Sequence, residues 1–65
     1  MEADQEEKLR AALRQMPDEL RRCFLLRFLQ GFEENEIAVL LKIPVEMVRM
    51  NLHRAGQRLR SGEGS

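Results

Sequence analysis

Apolar residues recur at helical spacing along most of the chain, and nowhere do they alternate as a half-buried strand would require. Leu9, Ala12, Leu13 and Met16 fall at i, i+3, i+4 and i+7, one stripe of a first helix. Asp4 stands where it can cap that helix, with Glu6 and Glu7 in the opening turn, where the dipole favours acids. Pro17 ends it, because proline disfavours the α conformation in the residue before it. Pro17 also starts the next helix at or beside its first position, with Asp18 and Glu19 enriching the first turn. The pattern predicts that this second helix runs to about Gln30, with Leu20, Cys23, Phe24, Leu26 and Leu29 as core contacts. Gly31 then serves as a left-handed stop.

A third helix is expected over roughly residues 33–41, burying Ile37, Ala38 and Leu41; small Ala38 allows a close helix crossing. Lys42, Ile43 and Pro44 form a turn, with Ile43 plugging the core. A fourth helix then runs from about Val45 to Arg60. In it Val48, Leu52, Ala55 and Leu59 form a narrow buried seam at i, i+4, i+7 and i+11. The expected layout is all-α: one four-helix domain over residues 5–60 with a C-terminal helix-turn-helix and no wing. Residues 61–65 are expected to be a flexible tail.

Composition supports that layout. Sixty-five residues suffice for one small domain, and the chain is dominated by strong helix formers. No run of about eighteen apolar residues offers a membrane span. With no leader pattern and a single Cys23, a reducing cytoplasm is the expected compartment.

Charge changes the picture more. The net charge is zero, but the cations gather toward the C-terminal end. Residues 42–65 hold Lys42, Arg49, Arg54, Arg58 and Arg60 against Glu46 and Glu63, a net +3, and residues 1–41 carry −3. Such an asymmetry orients a small domain toward a polyanion without making it adhesive all over.

Catalytic chemistry finds no foothold. His53, the only histidine, has no cysteine or carboxylate at metal-ligand spacing, and Cys23 sits in an apolar stretch as a small core residue. Glu33, Glu34 and Glu36 are the charged opening of a helix. No glycine-rich phosphate loop and no Ser/His/Asp set is present, so the chain reads as a non-enzyme needing no cofactor.

A more specific signal lies in the order Met16-Pro17, Arg21, Leu26, Gly31, Glu36-Ile37-Ala38, Leu41, Ile43-Pro44, Val48, Leu52, His53-Arg54-Ala55 and Leu59. Over residues 9–60 this order resembles region 4 of RNA polymerase sigma factors, nearest to the extracytoplasmic-function type. Regulators of the quorum-sensing type share the four-helix layout but usually lack the Met-Pro start and the His-Arg-Ala triplet. The resemblance implies a transcription domain that recognises the promoter −35 element on double-stranded DNA and contacts the RNA polymerase core at its β flap. An anti-sigma protein is a further implied partner. The positions it places on DNA are Lys42, Met47, Arg49, Met50, Asn51, Arg54 and Arg58, with Glu46 beside them. Among these, arginine can fork onto guanine and asparagine onto adenine. Lys42, Arg54 and Arg58 suit phosphate contacts, which set position and affinity but not sequence.

Several residues depart from that family's habit. Met47, Met50, Asn51 and Gly56 stand where threonine, serine, arginine and arginine are common, Lys42 replaces a turn glycine, and Glu33 replaces a serine cap. Gly56 inside a helix costs about 1 kcal/mol relative to alanine. Phe28 and Val39 add apolar surface where charge is usual. The alternative expectation is therefore a sigma-like protein-interaction domain, binding an anti-sigma protein, the polymerase flap or a second copy, with weakened DNA binding.

Overall fold

Helix α1 (Glu2–Gln15) is stopped by Pro17, and α2 (Asp18–Phe28) begins one residue later with Asp18 and Glu19 in its first turn. Helix α3 (Glu34–Leu41) and α4 (Val45–Gly64) follow, joined by the tight turn at Lys42–Pro44. The computed structural model describes the backbone of residues 2–64 and the side chains of residues 6–60; among the described residues there is no strand. The all-α architecture and the C-terminal helix-turn-helix thus stand as the apolar spacing requires.

Helix ends show how local chemistry fixes the geometry. Pro17 is the N-cap of α2, its carbonyl accepting the Arg21 N–H at 3.0 Å. Arg21 then turns back: Nη1 donates to the carbonyls of Leu13 (3.2 Å) and Met16 (3.3 Å), and Nη2 pairs with Asp18. One guanidinium thereby adds a donor to carbonyls at the negative end of α1 and ties the α1–α2 corner together. Gly31 takes the left-handed conformation (φ 83°) that an L side chain resists, letting the Phe32 N–H reach the Leu26 carbonyl. At the start of α3 the Glu33 N–H donates to Glu36 Oε1 at 2.8 Å, the reach-back half of a capping box, so Glu36 secures the helix start that a serine cap would otherwise serve.

Lys42 is left-handed too, at φ 59° and ψ 45°. The Ile43 N–H donates to the Ala38 carbonyl (3.1 Å) and the Lys42 N–H to that of Val39 (3.3 Å). That is the Schellman arrangement, which satisfies the carbonyls ending α3 and folds Ile43 onto the core. Pro44 then caps α4, its carbonyl receiving the Val48 N–H at 3.2 Å.

Two apolar clusters hold the domain, and α4 contributes to both. Met16, Leu20 and Ala55, with Leu13, Phe24 and Leu59 against them, join α1, α2 and α4. Cys23, Ile37 and Val48, surrounded by Leu26, Phe32, Ala38, Leu41, Ile43 and Leu52, join α2, α3 and α4. The seam Val48, Leu52, Ala55 and Leu59 is thus the spine along which the other helices pack.

Several boundaries and core assignments move. Helix α1 starts at Glu2, so Asp4 lies inside it and is not its cap. Helix α4 continues through Ser61 to Gly64, beyond the Arg60 boundary where the tail was expected. The glycines there carry a helical propensity penalty, but no proline stops a helix already anchored upstream. Helix α2 ends at Phe28, and Leu29, expected in the core, is 74% exposed. It is the C-cap residue, turned out where the chain leaves the helix. Leu9 is also exposed, on a part of α1 beyond the cluster that gathers Leu13 and Met16.

Candidate nucleic-acid interface

The helix-turn-helix exposes one side of α4, and the winding of that helix decides which side chains occupy it. At about 100° per residue from buried Val48, the positions Glu46, Met50, His53 and Gln57 lie almost opposite the core, and all four are exposed. Met47 and Arg54 border this stripe on one side, and Arg49 borders it on the side facing α3. Met50 and Met47 are exposed together, 45% and 39%, making an apolar patch between cations. Lys42 in the turn and Arg58 further along α4 are exposed as well.

Asn51 does not belong to this surface. It is 2% exposed, its amide Nδ2 donating to Glu19 Oε2 at 2.8 Å and approaching Cys23 Sγ at 3.6 Å. The expectation that Asn51 faces DNA is therefore corrected: the side chain ties α4 to α2. The reason is angular. Asn51 lies about 60° from Val48 and one turn before Ala55, on the flank of the buried seam. A polar group there must find a partner, and Glu19 supplies it across 32 residues of sequence. Among the described residues no buried side-chain nitrogen or oxygen lacks a partner.

The same cluster settles the chemistry of Cys23. Burial pushes its thiol above the ordinary value of 9.0, the Asn51 hydrogen bond pulls the other way, and the Glu19 carboxylate adds to the rise. A fully buried thiol held protonated is an inert core group. Among the described residues no group of histidine, cysteine and carboxylate side chains is placed to hold a metal ion.

Arg49 is exposed but engaged: its Nε donates to Glu34 Oε1 at 3.0 Å, linking α4 to the first turn of α3. The family resemblance puts Arg49 on DNA, and the sequence alone shows Glu34 only as part of a charged helix opening. The pairing is invisible in local spacing, because the two residues are 15 positions apart on different helices. Of the expected positions, Lys42, Met47, Arg49, Met50, Arg54 and Arg58 remain on the surface, and Asn51 leaves it.

Two helices joined by a left-handed turn, the second presenting exposed arginines, form a helix-turn-helix of the kind that DNA-binding domains use. The family model of sigma-70, region 4, matches residues 6–59. This chain belongs to the sigma-70 family as a region 4 domain, a regulatory DNA-binding module of transcription. No curated protein matches the chain closely enough to add a relative.

Proposed function

We propose that this domain recognises the −35 element of bacterial promoters as the C-terminal part of a sigma factor of the extracytoplasmic-function type, and contacts the RNA polymerase β flap. The observation that carries this reading is the exposed set of Lys42, Arg54 and Arg58 on the helix-turn-helix covered by the family match. In this reading α4 lies in the major groove, with Lys42, Arg54 and Arg58 on phosphates and Arg49, Met47 and Met50 toward base edges. Methionine offers no hydrogen-bond donor to a base, but its apolar surface suits a thymine methyl group. One domain of this size binds DNA weakly unless a tethered partner adds to it.

A protein-binding reading has its own support. Phe28, Leu29, Val39 and Leu40 are large apolar residues exposed at the ends of α2 and α3, none of them on α4. They suit a protein partner such as the polymerase flap or an anti-sigma protein, and that use is compatible with DNA binding elsewhere.

Fluorescence anisotropy on −35-type duplexes and a scrambled duplex, at about 50 and 200 mM salt, tests the DNA reading. Three phosphate contacts give a log–log salt slope near −3, a roughly fortyfold weakening over that range. Arg54→Ala is expected to flatten the slope by about one and to leave flap or anti-sigma binding largely intact. Equal, salt-insensitive binding to both duplexes leaves the domain as a protein-interaction module.

A further inference from the structure

Arginine is a good reader of guanine only when its fork arrives in the right plane. A long side chain must otherwise give up rotamer freedom on binding. On this surface Arg54 and Arg58 make no ion pair among the described residues, whereas Arg49 is held at 3.0 Å by Glu34 through Nε. Nε is the nitrogen nearest the aliphatic stem, so this bond narrows the directions open to the guanidinium without consuming the terminal nitrogens. The Arg49 side chain remains 58% exposed. Glu34 itself is secured in the first turn of α3, where the positive end of the helix dipole steadies a carboxylate. It stands between the capping-box residues Glu33 and Glu36, so its backbone is fixed by the adjoining cap.

We infer that Glu34 is a positioning residue for DNA reading: it orients Arg49 so that the terminal nitrogens of the guanidinium face a guanine edge in the major groove. The inference rests on the DNA reading proposed above and adds to it a division of labour. Arg54, Arg58 and Lys42 supply charge, and Arg49 supplies discrimination because Glu34 holds it. Glu34 also carries a negative charge beside a polyanion. Its presence therefore lowers binding to arbitrary sequence while it sharpens binding to the correct one.

These two consequences have opposite signs, and that makes the role separable from a structural one. The probe is a library of randomised 20-base-pair duplexes, from which the wild-type domain selects a preferred sequence. Anisotropy on the selected duplex and its scrambled counterpart then measures discrimination for each variant. Arg49→Ala is expected to lose roughly 5- to 160-fold of discrimination at one guanine, and Arg49→Lys to lose as much while keeping the salt slope, since the charge remains and the fork does not. Glu34→Gln is expected to reduce discrimination roughly two- to fivefold, with binding to the scrambled duplex equal or tighter. A fold defect weakens both duplexes together and lowers the melting midpoint by circular dichroism, which is checked in the same samples. If Glu34→Gln tightens both duplexes equally, Glu34 merely competes for Arg49 and the inference is overturned. Unchanged discrimination in Glu34→Gln, on a duplex that Arg49→Ala no longer distinguishes, overturns it as well. Absence of salt-dependent binding by the wild type defeats the DNA reading itself, and the positioning role with it.

Discussion

Lys42 sets a proposed phosphate contact against backbone strain. A left-handed backbone costs a non-glycine residue about 1–2 kcal/mol, and Lys42 occupies that region at φ 59° while closing the Schellman turn between α3 and α4. Glycine relieves the strain, at the expense of a more flexible unfolded chain. Lys42→Gly is therefore expected to stabilise the domain by about 1 kcal/mol, read as a higher urea midpoint at unchanged slope. In the proposed DNA-bound state the same change removes a phosphate contact, reducing the salt slope by about one. A variant that is more stable and binds less tightly identifies lysine here as a functional choice. Loss on both counts shows instead that the side chain supports the turn. Gly56, by contrast, is a cost with no conformational reason: it lies within α4 at ordinary φ, and a Cβ there meets open space.

At the scale of the helix, α4 faces three environments at once, and the sequence discloses them unequally. Its buried seam follows directly from Val48, Leu52, Ala55 and Leu59, because burial of an apolar stripe depends only on the helical period. The outward stripe opposite it follows for the same reason. The flanks do not, since there the outcome depends on which groups the neighbouring helices supply. Asn51 on one flank is drawn inward by Glu19 and Cys23 of α2, and Arg49 on the other is held by Glu34 of α3. Leu29 misled in the opposite sense: its spacing fits the apolar stripe of α2, but the helix ends one residue before it. Asn51→Ala removes the half-buried hydrogen bond to the charged Glu19 carboxylate. The expected loss is about 1–3 kcal/mol, measured by chemical denaturation. The salt slope on duplex DNA should stay as in the wild type, since Asn51 reaches no phosphate from its buried site. A flattened slope with unaltered stability returns Asn51 to the DNA surface.

Across the whole molecule, the cluster at Cys23 couples the fold to pH. The thiol lies where α2, α3 and α4 meet, fully buried beside Ile37 and Val48, so it reaches solvent only when that junction opens. Burial raises its pKa above 9.0 in the folded chain, whereas an unfolded chain releases the proton near the ordinary value. The folded state then binds more protons than the unfolded state above pH 9, and stability must fall as pH rises through that range. Below pH 9 both states keep the proton, and the group contributes no slope. Other groups titrate at high pH too, so the comparison is with Cys23→Ala, which lacks the thiol and starts less stable because it leaves a small cavity. The stability gap between the two proteins is expected to remain constant from pH 6 to 8 and to narrow above pH 9. A gap that holds constant through pH 10 means that solvent reaches Cys23 in the native state. The α2–α3–α4 junction is then looser than its buried side chains indicate, and the helix-turn-helix is a mobile pair of helices around a core that water can enter.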